Sequence, residues 1–390
     1  MNAKIPYGRQ NINQDDIDAV VDVLRSDFLT QGKQVPHFET LVAQYCGAAH
    51  AVATNSATSA LHVACMALDV GPGDWVWTTP TTFVSSANCA LFCGARIDFV
   101  DIDPLTCNMS ATRLAEKLVV AKAQGKLPKV VIPVHLCGQS CDMATIGALA
   151  REHGFRVIED ASHAIGGSYR GEPVGICRYS DITVFSFHPV KIITTAEGGM
   201  ATTNDSQLSE RMQRHRSHGI TSNRDQMSPR PVDEIWNYQQ IHLGYNYRMT
   251  DIQAALGASQ MKRLDAFVDR RRQIAALYDA AFLDMPIIVP GQHPDSLSSY
   301  HLYPVRISEG LTARTQRQVY DALWQADIAV NLHYIPVHRQ PYFEAMGFRA
   351  GYCPEAEKFH RETISLPIFP GLMTEEQDHV IGALRAAIGF

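Results

Sequence analysis

Residues 181–199 read DITVFSFHPVKIITTAEGG, and Lys191 is the single formally charged side chain between Asp181 and Glu197. It follows an apolar run with the pattern of a buried strand, where a lysine is tolerated only if its charge is paired or consumed. In such surroundings the amine loses basicity, becomes nucleophilic and can condense with an aldehyde. A snorkelling lysine or a salt bridge would leave the same trace.

Three further stretches carry side chains with chemical potential. The run VIED ends in Asp160, and His163 stands three residues on. A carboxylate at that point can keep a ring nitrogen protonated, or it can simply cap a helix. TNSATSALHVA (54–64) sets Ser56, Thr58 and Ser59 at a helix start. Hydroxyls and unpaired N–H groups there suit a phosphate, and equally a well-capped helix without ligand. TTPTTFVSSAN (78–88) carries Phe83 at a strand–helix junction, as a platform for a planar ring or as ordinary core. One ligand accounts for all four stretches. Pyridoxal phosphate has a phosphate, a flat heterocycle, a ring nitrogen that a carboxylate can hold and an aldehyde that an amine can attack.

The elements that must position these residues alternate. HAVATN, WVWTTP, RIDFVDID, KVVIPVHL, FRVIEDA and DITVFSF read as strands. Helical text lies between several of them, as in SALHVACMALDV, FVSSANCALFCG and CDMATIGALAREHG, the last with Asp142 as its N-cap. That spacing predicts right-handed βαβ units and a mainly parallel sheet with helices on both faces. Ligands of such sheets collect beyond the carboxyl ends of the strands, where the four stretches fall. Near residue 250 the pattern changes. Thr250 and Gln253 fit a capping box, a long connector helix follows, and strands are expected at SYHLYPVRI (299–307) and ISLPIF (364–369). The expected division is a large domain over 1–254, with an N-terminal arm at 1–12, and a smaller α+β domain over 255–390.

Composition narrows the partners. The chain has 390 residues, 46% hydrophobic and 19% charged, with a net charge of −6 and no long Lys/Arg run. That balance supplies a large core and excludes a nucleic acid or an anionic membrane as the natural partner, leaving small-molecule chemistry. Nine cysteines are scattered without paired C-x-x-C knuckles, and even HLCGQSC (135–141) lacks a second knuckle. Reduced thiols and no metal are expected. The N-terminal MNAKIPYGRQ has no apolar leader, and no run of about 18 apolar residues occurs, so a soluble cytoplasmic protein is expected.

The sequence resembles the nucleotide-sugar aminotransferases of the DegT/StrS group over nearly its whole length. The resemblance is carried by FLTQGKQVPHFE (28–39), EDASHA (159–164), SFHPVKIITTAEGG (186–199), GYNYRMTDIQAALG (244–257) and HYIPVHRQPYF (333–343). The last three are most similar to the branch that makes the 4-amino precursor of pseudaminic acid. The resemblance implies a fold-type I pyridoxal phosphate transferase. It makes Lys191 the Schiff-base lysine and sets Asp160 on the pyridine nitrogen, His163 near the ring hydroxyl and Phe83 over the ring face. It also implies Thr58, Ser59 and Ser186 on the phosphate, with Asn246 reaching it from the neighbouring subunit of an obligatory homodimer. Arg248, His333 and His338 would hold the sugar nucleotide or simply be polar groups facing water.

The reaction so implied moves an amino group from L-glutamate to C4 of a UDP-linked 4-keto-6-deoxy-N-acetylhexosamine. Rivals are a different keto carbon, a GDP- or dTDP-sugar, a small keto acid as acceptor, or a non-catalytic cofactor-binding regulator. Lys191 argues against the relatives that carry histidine there and deoxygenate sugars. One departure stands out: Ala196 occupies a place where the family has glycine, and a positive φ there would strain it.

Overall fold

The computed structural model describes residues 4–229, 231, 233–234, 236–308 and 310–390. Its centre is a seven-stranded sheet made of β1 (His50–Thr54), β2 (Trp75–Thr78), β3 (Arg96–Phe99), β4 (Val130–Ile132), β5 (Arg156–Asp160), β6 (Ile182–Ser186) and β7 (Gly199–Thr203). The spatial order is β1-β7-β6-β5-β4-β2-β3. Neighbours from β3 through β6 pair in parallel, and β7 alone runs antiparallel, between β6 and β1. All six strands read from the sequence are present; the reversed β7 is the addition.

Helices cover both faces, as the buried strands require. They are α1 (Gln14–Leu24), α2 (Gln34–Cys46), α3 (Ala57–Ala67), α4 (Ser85–Phe92), α5 (Ala111–Gln124), α6 (Met143–His153) and α7 (Ser206–Arg216). Successive strand residues alternate between the two packed layers. Val52, Val76, Ile158 and Ile182 join one apolar cluster, while Ala51, Ala53, Phe185 and Met200 join another with Phe38 of α2. Asp142 caps α6 through the Thr145 N–H, as expected.

Thr250 and Gln253 form the expected capping box of α8 (Asp251–Met261). The connector is not one helix, however. It breaks at Lys262 and Arg263, and α9 (Leu264–Phe282) starts afresh. The turn is held by polar bonds to the chain's beginning: Arg263 donates to Asn11 Oδ1 at 2.7 Å, and Gln260 donates to the buried Asp16 at 2.7 Å. Asp251 in turn accepts the backbone N–H groups of Gly32 and Gln34, both at 2.7 Å, which ties TQGKQ to the start of α8.

Beyond α9, β8 (Tyr303–Arg306) pairs antiparallel with β9 (Thr363–Leu366). A separate apolar cluster runs from Ile274 to Ile388, whereas Phe267 and Val268 still belong with the sheet. We propose that these clusters mark two domains, the boundary at 254/255 lying just before the helix through which one cluster passes to the other. Ile5 and Pro6 pair in parallel with Ile328 and Ala329, so the N-terminal arm lies against the C-terminal body.

Candidate active site

Strands β5 and β6 lie side by side and end in Asp160 and Ser186. Beyond those ends opens a cavity of about 520 Å³ lined by Asp160, His163, Ser186 and Lys191 together. Asp160 is 4% exposed, and three donors hold it. Its Oδ1 accepts from Ser162 Oγ at 2.6 Å and Ser162 N at 3.1 Å, and its Oδ2 accepts from Ser86 Oγ at 2.6 Å. A carboxylate gripped this way stays in place and retains lone pairs for a ligand. Burial pushes the Lys191 amine down to about 8, with Asp160 pulling the other way. Roughly half the amine is therefore uncharged at that pH, the form that attacks a carbonyl.

The other end of the cavity is the start of α3, where Ser56, Ala57 and Thr58 line the wall. Ser56 caps the helix by accepting the Ser59 N–H at 3.1 Å, and Thr58 Oγ1 pairs with Ser85 Oγ at 2.7 Å. Gly199 presses on this turn from β7. A Cβ there would lie 2.5 Å from the Ser56 carbonyl carbon and 2.6 Å from Ala57 N. Only glycine allows β7 to approach so closely. Ala196, two residues before the glycine pair, has φ 65°. The predicted positive φ is present, and the alanine carries its strain in the loop that follows Lys191.

His163 accepts the Cys137 N–H on Nδ1 at 3.3 Å, and its Nε2 lies 3.2 Å from Tyr334 Oη. Burial holds its pKa well below the usual histidine value, with Lys191 and His333 adding to the effect. The ring is thus neutral. Phe83 lines the cavity with 60% of its surface open, as a face free to meet a flat ligand. His333 also lines it, its Nδ1 paired with Ser365 Oγ at 2.9 Å.

The remaining expected residues lie elsewhere. Ser59 is buried behind Ser56, its hydroxyl donated to Asn55 Oδ1 at 2.7 Å, so it supports the helix turn and does not line the cavity. His338 is fully buried against Phe99, with Nε2 paired to Glu357 at 2.8 Å, and is a core residue rather than a sugar-nucleotide contact. Asn246 is exposed, bridged to Ser217, and absent from the cavity wall of its own chain. Arg248 is half-buried and likewise does not reach this wall. Residues missed by motif reasoning are Ser86 and Ser162 on Asp160, and Tyr7 and Tyr334 on the cavity wall. The doublet in FVSSAN and the Asp-x-Ser of EDASHA held a signal for the two serines; nothing local marked the tyrosines.

These residues fit pyridoxal phosphate. A half-neutral amine, an anchored carboxylate, an open aromatic face and a helix N-terminus surround one space of sufficient size. The DegT/DnrJ/EryC1/StrS aminotransferase family model matches residues 10–385. The chain belongs to that family.

This aminotransferase is 38% identical over 387 residues to the spore coat polysaccharide biosynthesis protein SpsC of Bacillus subtilis, covering 98% of this chain and 97% of that one. It is 36% identical over 364 residues to the UDP-4-amino-4,6-dideoxy-N-acetyl-beta-L-altrosamine transaminase of Campylobacter jejuni, covering 93% and 92%. Among solved structures, Helicobacter pylori PseC, an aminotransferase involved in the biosynthesis of pseudoaminic acid, superposes with a TM-score of 0.89 at 31% identity, covering 99% of both chains. The putative sugar aminotransferase Spr1654 of Streptococcus pneumoniae, in its PLP-form, does so with 0.88 at 30% identity, again covering 99% of both. The protein is accordingly a sugar aminotransferase dependent on pyridoxal phosphate. Among the described residues, no helix is long and apolar enough to cross a membrane.

Proposed function

We propose that this enzyme transfers the amino group of L-glutamate to C4 of a UDP-linked 4-keto-6-deoxy-N-acetylhexosamine. The observation that carries the chemistry is the placement of Asp160 at the end of β5 and Lys191 in the loop after the adjacent β6, both lining one cavity. Similarity to the Campylobacter jejuni transaminase supports the nucleotide and the sugar.

When bound, pyridoxal phosphate supplies an electron sink that lets an amino group and a carbonyl oxygen be exchanged. The chain's own residues do the rest. Asp160, fixed by Ser86 and Ser162, holds a proton on the ring nitrogen. Lys191 would tether the cofactor and, as a neutral amine, would take and return the migrating proton. Thr58 and Ser186, with the first turn of α3, bind the phosphate, and Ser59 braces that turn from behind. Phe83 covers the ring face. His163 stays neutral beside it, and His333 faces the acceptor sugar.

The functional unit in this reading is a homodimer with shared sites. Asn246 reaches the partner's phosphate, and Arg248 stands with it. Exposure of Trp236, Tyr238 and Leu243, at 73%, 64% and 71%, supports a face in this segment that a second copy covers. Mixing an inactive Lys191→Ala chain with an inactive Asn246→Ala chain tests this. Random reassortment leaves one intact site in each mixed dimer, restoring about a quarter of wild-type activity. No recovery after confirmed subunit exchange contradicts shared sites.

Mass spectrometry of products from a panel of keto-sugar nucleotides, with glutamate supplied, tests the substrate. A 4-amino product from the UDP-sugar is expected. A second reading, an acceptor carrying another nucleotide, is favoured by 35% identity over 385 residues to the GDP-perosamine synthase of Caulobacter vibrioides. Product from a GDP- or dTDP-sugar alone would replace the first reading with it.

A further inference from the structure

We propose that Tyr334 is a further catalytic residue: its hydroxyl proton is aimed into the cavity, where it bonds the carbonyl oxygen of the acceptor as the amine adds. The inference rests on the sugar-aminotransferase reading above.

The direction of this proton follows from a chain of hydrogen bonds. It begins in HLCGQ, where Cys137 and Gly138 adopt φ 61° and 100° and turn the backbone back on itself. The Cys137 N–H donates to His163 Nδ1 at 3.3 Å. A ring nitrogen that accepts an N–H carries no proton of its own, so the neutral ring is protonated on Nε2. That Nε2–H faces Tyr334 Oη at 3.2 Å and donates to it. The tyrosine oxygen is therefore an acceptor toward His163, and its own hydrogen must point elsewhere. Among the described residues it has no second partner. Tyr334 lines the same cavity as Lys191 and Asp160, which is where that hydrogen is directed.

The surroundings keep the polarity of this relay. The His301 ring lies tilted against His163 with centroids 4.3 Å apart, and Lys191 and His333 disfavour a positive charge on the His163 ring. His301 is itself held neutral by burial, with His163, Lys191 and Arg271 opposing its protonation. Burial raises the Tyr334 hydroxyl, so the donor stays protonated across the working range. Accepting a bond from His163 polarises the O–H and makes it a stronger donor. Two other hydroxyls on the cavity wall are committed, Thr58 to Ser85 and Ser162 to Asp160. When an amine adds to a ketone, negative charge develops on the oxygen, and a fixed donor at that oxygen accelerates the step by about 10²–10³-fold.

The test is Tyr334→Phe in the holoenzyme, assayed with whichever keto-sugar the wild type aminates, so that a wrong sugar assignment shows separately in the wild-type substrate panel. Expected are a kcat lower by about 10²-fold, a nearly unchanged KM, and an unaltered visible cofactor band and melting midpoint. An unchanged kcat would overturn the proposal, and so would a fall in kcat accompanied by loss of the cofactor band. The readout independent of turnover is ¹⁵N NMR of the His163 ring. Protonation on Nε2 is expected, and protonation on Nδ1 would reverse the relay and sink the idea.

Discussion

Replacing Gly199 by alanine tests whether β7 shapes the phosphate end of the cavity. The added methyl would sit 2.5 Å from the Ser56 carbonyl carbon and oxygen and 2.6 Å from Ala57 N, where ordinary contact begins at 3.4 Å. One side must therefore retreat by roughly 0.9 Å. β7 cannot be the one to move, because Gly199 is paired with Thr54 on one flank and Ser186 on the other. The displacement falls on the first turn of α3, which is backbone and cannot rotate aside as a side chain would. Overpacking of this kind costs about 1–3 kcal/mol. If the cradle carries most of that strain, cofactor affinity falls by about tenfold for each 1.4 kcal/mol. The assay is equilibrium titration of apoenzyme with pyridoxal phosphate, read by the visible band, beside the melting midpoints of apo and loaded protein. The expected result is a dissociation constant raised tenfold or more and a smaller rise in melting midpoint on loading. Wild-type affinity in a folded Gly199→Ala protein would refute the reasoning, because the clash is with the cradle itself.

Three other outcomes are expected. Lys191 has a folded pKa near 8 against an ordinary 10.5, so the unfolded chain binds the extra proton between those values and apoenzyme stability rises with pH across that window. Lys191→Met should flatten that slope, and the rate of cofactor capture by wild-type apoenzyme should climb with an apparent pKa close to 8. Ala196→Gly relieves a left-handed alanine worth about 1 kcal/mol, less the extra freedom it gives the unfolded chain. A small gain in chemical-denaturation stability is expected, and a loss greater than the error would count against strain at φ 65°. His338→Ala takes one hydrogen bond from Glu357, which keeps the Gly351 N–H and Arg339, and should cost about 1–3 kcal/mol of unfolding free energy, with KM for the sugar nucleotide unchanged. A raised KM in the folded variant would return His338 to the substrate.

The parallel part of the sheet was legible because its strands are short apolar runs bounded by turn residues, and the functional side chains stand directly after them. Asp160, Lys191 and Ser186 could be found for that reason. The strand β7 was not legible. GGMATT opens on two glycines and has fewer β-branched residues than ITVFS beside it, and it is held in the sheet by pairing on both flanks rather than by its own propensity. The single connector helix was over-read because apolar periodicity continues across residues 262 and 263, while the break depends on Asn11 and Asp16, some 250 positions away. His338 looked like an exposed polar group; its partner Glu357 and the Phe99 ring are tertiary facts. Tyr334 meets His163 across 171 residues of chain, a distance over which spacing carries no signal.

The arm at the front of the polypeptide has a bearing on how the enzyme is made. Ile5 and Pro6 are stitched to Ile328 and Ala329, Tyr7 O accepts from Ile368 N at 3.0 Å, and the Tyr7 ring rests 5.1 Å from His333. Ribosomal synthesis delivers these partners more than three hundred residues apart, so residues 5–7 must wait for residues 328–368 before they can dock. Until then one wall of the catalytic chamber does not exist. An affinity tag fused ahead of residue 4 would hang at that wall, whereas one fused after residue 390 would trail from the far end of the terminal helix Thr374–Ile388.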